Sequence, residues 1–330
     1  MAPHLTVAFD IGTANTAAAF GVGNDDQLPT EVHHVSWEFR KITMPSIVAW
    51  DENGRFRCGF DLEAAVKATQ NKVSPLLIIQ HAKMALCEGS KLKAVPRIKQ
   101  QLKDAGNKTL EDLFAAQLEV MKTLAVDYIA RSDFRANFTK AEILAMPLKV
   151  RLTLPQMWTP DARRTMQNAA RRAGLPLVTL VGEPQSALAD TLRTYAGRSK
   201  TFPTQLKAGS SILTMDGGCG TADTVHLRLL DDLSINTRFE ALTQPTGSDC
   251  GSGKVNEFAL EIFKQRINTE ESEGVQGILD HLSIDEDYFD WQALLGIEQA
   301  KLRFSNGDNS YQVSIVDARG RAGLVFFIHE

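Results

Sequence analysis

The sequence predicts an α/β fold built around a duplicated strand–turn–strand unit, on three observations. The stretch VAFDIGTANTAAAF at residues 7–20 is an apolar run that reaches an acid, turns through Gly-Thr and resumes as a second apolar run. The stretch ILTMDGGCGTADTVHL at residues 212–227 repeats that plan. Between the two, strand-like runs alternate with helix-period segments, as in a mixed α/β chain.

Taken in order, LTVAFD and TAAAFGV read as two strands joined by a tight turn, and residues 24–31 as a polar loop. Short strands follow across residues 36–60, with Asn53-Gly54 marking a hairpin turn. Residues 61–131 read as helical. Within them Leu113, Phe114, Leu118, Met121, Leu124, Ala125, Tyr128 and Ile129 form the apolar stripe of a long amphipathic helix. The basic, Pro-interrupted KLKAVPRIKQQLK lacks interleaved aromatics and reads as a solvated loop and helix face. KVRLTLP is a strand. In TPDARRTMQNAARRAG, Thr159 is placed to cap a helix that has Pro160 in its first position and Gly174 at its end. LVTLV is the next strand, broken at GEP, and QSALADTLRTYA the next helix. The polar segment 197–210 marks a lobe boundary. SILTMD, TADTVHLRLL and INTRFEALT then give strands. The acidic stretch 269–290 reads as an exposed loop with short helices. A helix ending near Phe304 and the strands YQVSIVD and GLVFFI complete the sequence.

Composition narrows the function classes. The 330 residues are 43% hydrophobic and 23% charged, as in an ordinary globular chain long enough for two domains. A net charge of −4 offers no basic field for nucleic acid or an anionic membrane. No apolar run approaches a membrane span, and Asp10 interrupts the first apolar stretch, so neither a span nor a secretory signal is expected. Cys58, Cys87, Cys219 and Cys250 are widely spaced with no Cys-x-x-Cys, which points away from a disulfide framework or zinc site and toward a reducing, cytoplasmic setting.

Each repeat sets a carboxylate at a strand end, small residues in the turn and a hydroxyl beside them. Glycines let the backbone approach an anion and turn its N–H groups inward. The acid cannot hold phosphate directly, but it can do so through hydrated magnesium. Two such hairpins, Asp10–Thr16 and Asp216–Thr224, could therefore clasp a polyphosphate. SDCGSGKV at 248–255 imitates a P-loop, but Ser248 takes the first glycine position and Val255 the place of the magnesium-binding hydroxyl. GVGNDD at 21–26 lacks the third glycine of a dinucleotide fingerprint, and there is no HExxH or GxSxG motif.

With these motifs the chain resembles the actin-like ATPase superfamily. Within it the likeness is greatest to the ATPase of seventy-kilodalton heat-shock proteins, in divergent form. FDIGTANT resembles the family's first phosphate motif and MDGGCGTAD its second. The segment from VRLTLP to GEPQSALA resembles the strand, helix, strand and acid–proline stretch between them, and GIEQAKLRFS the adenosine-contacting helix. The resemblance implies two duplicated ribonuclease-H-like lobes. Residues 1–206 would form the first, with an inserted subdomain at about 36–110, and residues 207–330 the second, incomplete one. It implies ATP or ADP with Mg2+ as ligands, slow ATP hydrolysis, and client polypeptides or co-chaperones as partners.

Residue by residue, the resemblance implies that Gly12, Thr13, Ala14 and Asn15 wrap the phosphates from one side, and Gly218, Cys219, Gly220 and Thr221 from the other. Gly247 would contribute nearby. Asp10 and Asp216 would hold magnesium through water, and Lys83 would meet the terminal phosphate. Glu183 and Asp223 would position the magnesium shell and the attacking water, and Glu298 and Lys301 would meet adenosine. Three departures stand out. Cys219 replaces a turn glycine, Leu302 stands where the chaperones have a base-stacking arginine, and no second Gly-Gly adenosine loop follows, since GG occurs only at 217–218. The expectation is an unfinished adenine face and exposed apolar surface around Leu324, Val325, Phe326, Phe327 and Ile328. Two rival expectations stand beside the ATPase: a small-molecule (sugar-type) kinase of the same fold, and a nucleotide sensor that binds without turnover.

Overall fold

The computed structural model describes residues 3–24, 31–68, 78–90, 92, 94–131, 138–175, 178–196, 206–232, 238–303, 310–316 and 323–329; most of the polar stretches expected at 24–31 and 197–210 lie outside them. In chain order β1 (Pro3–Ile11), β2 (Asn15–Asn24), β3 (His33–His34), β4 (Thr43–Pro45), β5 (Val48–Trp50) and β6 (Phe56–Cys58) lead into α1 (Gly59–Ala68). A 3-10 turn at Ala82–Leu86 precedes α2 (Ala94–Asp104), α3 (Leu110–Arg131), α4 (Lys140–Ala145), β7 (Leu148–Leu154), α5 (Pro160–Arg172), β8 (Val178–Gly182) and α6 (Glu183–Ala196). Then come β9 (Ser211–Gly217), β10 (Ala222–Leu229), β11 (Phe239–Ala241) and β12 (Thr246–Ser248), followed by α7 (Gly253–Glu270), α8 (Gly274–Leu282), α9 (Glu286–Arg303), β13 (Ser310–Val316) and β14 (Gly323–His329). Among the described residues no helix is long and apolar enough to cross a membrane.

This mixed α/β chain packs as two compact units. One comprises Met1–Ser46 and Gln80–Gly251, the other Ile47–Ile79 and Ser252–Glu330. The division at 206/207 suggested by the sequence repeat falls inside the first of these.

In the first unit the sheet runs β3-β2-β1-β7-β8, with β4 also on β2. β1 is antiparallel to β2, which a short turn allows, and parallel to β7, which needs a long crossover. Apolar alternation along β1 buries Leu5, Val7 and Phe9 on one face, and Val150 and Leu152 of β7 are also buried. Each such side chain stabilises the fold by about 1.5–3 kcal/mol. The α3 stripe is as expected at Leu113, Phe114, Leu118, Met121, Ala125 and Ile129, but Leu124 is exposed.

Thr109 caps α3. Its hydroxyl accepts from Asp112 N (3.1 Å), while the Asp112 carboxylate accepts from Thr109 N (2.8 Å). The hydroxyl also donates to Asp112 Oδ2 (2.6 Å), and that bond, foremost, holds the Asp112 carboxyl at about 2. Thr109→Ala should therefore cost about 1 kcal/mol, read as a lowered urea midpoint at unchanged m-value. Thr159 caps α5 as expected, accepting from Ala162 N at 3.3 Å.

The sequence repeat is also a structural one. β3 pairs with the far end of β2 at Ala19 and Phe20, and β4 with its near end at Asn15–Ala17. β11 likewise pairs with Leu227–Leu229 of β10, and β12 with Ala222–Thr224. Superposing Asp10 on Asp216 brings the registers together: Asp10 faces Ala17 and Asp216 faces Asp223, while Ala17 faces Thr43 and Asp223 faces Gly247. Leu188 and Leu192 of α6 pack on Val225 and Leu227, with Ile212 beside them, and close one face of this second sheet. β8 ends at Gly182, where the strand is expected to break, and α6 begins at Glu183, so the Glu-Pro pair forms its first turn.

In the second unit β5 and β6 form the expected hairpin. Asp51 Oδ1 accepts from the N–H groups of Asn53 and Arg55 (both 3.0 Å), and Gly54 supplies a φ of +73° that other residues rarely adopt. A separate core joins α7, α8, α9 and β13 around Phe263, Ile278, Phe289 and Ile315, with Phe263 and Phe289 stacked at 6.2 Å. The acidic stretch 269–290 contains a short helix, α8, as expected, but the stretch is largely helical and not an exposed loop. α8 buries Val275, Ile278, Leu279 and Leu282 and leaves Asp280 exposed. Of the apolar run expected to be exposed, Leu324 packs partly against this core and Val325 is exposed; the side chains of Phe326, Phe327 and Ile328 lie outside the described residues.

Candidate functional site

The two hairpin turns of the first unit line one cavity of about 380 Å³. One side is made by Asp10, Gly12, Thr13, Ala14 and Asn15, and the other by Asp216, Gly218, Cys219, Gly220 and Thr221. Lys83, Thr153 and the first turn of α6 (Glu183, Ser186 and Ala187) complete the lining. The start of α6 thus reaches the cavity, and a helix N-terminus favours an anion through its dipole.

Both turns carry glycine at the same place, under a hard constraint at Gly12 and a tight one at Gly218. A Cβ on Gly12 would lie 2.2 Å from the backbone oxygen of Asn15, and one on Gly218 3.2 Å from that of Thr221, three residues on in each case. Gly218 N donates to Thr221 O at 2.8 Å and closes the second turn. A Cβ on Gly220 would meet Met84 Sδ at 2.2 Å and Thr13 Oγ1 at 2.3 Å, so that backbone is packed directly against the first turn. Gly251 supports it from behind, donating to Gly220 O (3.1 Å) where a side chain would strike the Cys219 carbonyl.

The charges are arranged in two layers. Lys83, 6% exposed, forms an ion pair with Glu183 and lies 6.0 Å from the centre of the Trp158 ring. Burial is the main cause that pushes the Glu183 carboxyl up to about 7; Lys83 opposes the rise, and Asp10 and Asp216 add to it. Asp216 is also raised, first by burial and then by Asp10 and Asp223. Thr153 Oγ1 donates to Asp10 Oδ1 at 2.7 Å and orients that carboxylate.

Glu183 is held above its ordinary value in the fold, so it favours the folded state at low pH. That contribution fades as pH rises from about 4.5 toward 7. Nucleotide-free protein should lose stability over this window, and Glu183→Gln should flatten the loss. Thermal unfolding at the two ends of the window checks this, and an unchanged slope in the variant would remove Glu183 as its source.

The residues present fit a divalent cation. Two carboxylates face one cavity, and Asp10 adds to the cost of ionising Asp216, a repulsion that a cation relieves. Among the described residues no three His, Cys, Asp or Glu side chains gather into a metal-binding group. If magnesium were bound here, Asp10 and Asp216 are the residues that would hold it, with water and ligand oxygens at its other positions.

Four expected residues do not line the cavity. Asp223, 1% exposed, accepts through Oδ1 from the backbone N–H groups of Gln156 (3.0 Å) and Met157 (3.3 Å), tying β10 to the loop after β7. Gly247 makes room for that carboxylate, since a Cβ there would lie 2.5 Å from Asp223 Oδ1. Glu298 and Lys301 belong to the second unit, where they pair with each other (2.6 Å), and Glu298 also accepts from Asn256 (2.6 Å). Thr153, Ser186 and Ala187 had not been singled out. Only the position of Thr153 at a strand end and of Ser186 and Ala187 just after the Glu-Pro pair could have drawn attention to them. No protein-family model matches the chain, and no curated protein matches it.

Proposed function

We propose that the chain binds ATP with Mg2+ and hydrolyses it slowly, as a chaperone-like protein of the actin-like ATPase type. The observation that supports this most is the convergence of two equivalent acid-and-glycine turns, with a buried lysine–glutamate pair, on a single cavity. The backbone N–H groups of the two turns would cradle the phosphates, and the Lys83 ammonium would face the terminal one. Bound magnesium supplies charge neutralisation at the phosphoryl group. The chaperone-like part of the reading, with its client polypeptides or co-chaperones, rests on the sequence resemblance.

A second reading, nucleotide binding without turnover, is favoured by one observation: the Asp223 carboxylate is engaged with backbone amides and is not among the cavity-lining groups. Phosphate release from γ-labelled ATP separates the two. Under the hydrolysis reading Asp223→Asn should lower release about a hundredfold while affinity persists, because the group that would orient water has lost its charge. Equal release from both proteins would take Asp223 out of the chemistry, and no release from wild type would leave the sensor. Transfer of label to a panel of sugars, in place of release, would point to the kinase alternative.

A further inference from the structure

We propose that Thr16 and Ser46 are positioning residues for the phosphate cavity, clamping the first turn in the shape that lines it. The inference rests on the triphosphate reading above and adds the side chains that hold one half of that site in place. The two turns are tied at equivalent carbonyls, since Ala14 and Gly220 each stand four residues after the acid. Ser46 N donates to Ala14 O at 2.8 Å, and Gly251 N to Gly220 O at 3.1 Å. Both donors lie just beyond the outer strands, β4 and β12, that pair with the equivalent ends of β2 and β10. The two ties differ in their side chains. At the second turn a glycine fits closely, since a Cβ on Gly251 would lie 2.2 Å from the Cys219 carbonyl oxygen. At the first turn a serine takes that role, and its Oγ forms a further hydrogen bond of 2.7 Å with Thr16 Oγ1.

This hydroxyl pair is buried, with Thr16 0% and Ser46 8% exposed. Gln117, buried on α3 among Leu113, Phe114, Leu118 and Met121, reaches Thr16 Oγ1 through Nε2 at 3.5 Å. Thr16 is therefore the centre of a polar chain that runs from α3 to Ser46. Polar groups in such a place cost stability unless they are paired. Apolar residues of the same size would fill the space, but they would give residue 46 no fixed direction. Thr16, Ser46 and Gln117 are not among the cavity-lining groups, whereas Ala14 and Asn15 are. The clamp reaches a ligand only through that backbone: Ser46 grips the Ala14 carbonyl, and Thr16 follows Asn15 in the chain. Losing the Thr16 hydroxyl frees the Ser46 side chain, loosens its amide from Ala14 and lets the turn leave its cradle shape.

Two variants of Thr16 separate the hydroxyl from the packing. Thr16→Val keeps the shape and removes the hydroxyl, while Thr16→Ser keeps the hydroxyl and drops a methyl group. Titration with Mg-ATP, where circular dichroism shows each protein folded, should find Thr16→Val about tenfold weaker than wild type. Thr16→Ser should stay within about twofold, because the clamp is intact. A role in packing alone would change stability without splitting the two affinities in this way. Hydrogen exchange of the nucleotide-free protein reads the clamp itself. The Ser46 amide should exchange about tenfold or more faster in Thr16→Val. The Val35 amide, which donates to Ala18 O of the same strand at 2.9 Å, should keep its rate. If Thr16→Val does not fold, Ser46→Ala replaces it, with the same two results expected. Equal affinity in wild type and variant, or equal acceleration at Ser46 and Val35, would overturn the proposal. Absence of Mg-ATP binding by wild type would instead overturn the triphosphate reading, and the positioning role would fall with it whatever the exchange rates.

Discussion

Gly12→Ala is expected to abolish Mg-ATP binding while leaving the protein folded. The added Cβ would fall 2.2 Å from the Asn15 carbonyl oxygen, a backbone atom that cannot swing aside as a side chain could. The first turn must then open, and the backbone of Gly12–Asn15 that lines the cavity is displaced with it. Loss of at least a hundredfold in affinity, about 2.7 kcal/mol, is the expected size. The sheet should survive because β1 and β2 stay paired from Pro3 to Ile11. Isothermal titration beside circular dichroism reads both, and wild-type affinity in the variant would exclude the first turn from the cradle.

Lys83→Met is expected to damage stability and binding together. Lys83 is the cation paired with Glu183 in a setting that also contains Asp10 and Asp216. Without it Glu183 has no ion-pair partner there and must take up a proton or stay ionised among like charges. Breaking such a pair costs about 3–5 kcal/mol when the charge remains, and the low end applies because the Glu183 carboxyl already titrates at about 7. Adding Glu183→Gln should restore most of the stability but not the affinity, because the charge facing the phosphate is still missing. Chemical denaturation of single and double variants gives the first result and titration with Mg-ATP the second. Full recovery of affinity in the double variant would show that Lys83 acts only by neutralising Glu183.

Much of the first unit was legible because its signals are local. The two hairpins announce themselves by apolar alternation broken at an acid and a glycine turn, and the α5 cap by Thr159 before Pro160. The acidic stretch 269–290 was misread because its charges outnumber an apolar stripe of only four residues on α8. Asp223 shows the limit most plainly. Its place in the second turn follows from the spacing, but its hydrogen bonds go to the backbone of residues 156–157, about 66 positions away, and no local pattern encodes that meeting. The Lys83–Glu183 pair, 100 residues apart, is of the same kind.

The claim that the duplicated turns form one magnesium-dependent triphosphate site is tested most directly by isothermal titration of the 330-residue chain with ATP, with and without Mg2+. The account predicts saturable binding of one ATP per chain, weakened about tenfold or more when magnesium is chelated, because Asp10 and Asp216 then face the phosphates without a bridging cation. No binding at millimolar ATP, or binding of equal strength without magnesium, would contradict it.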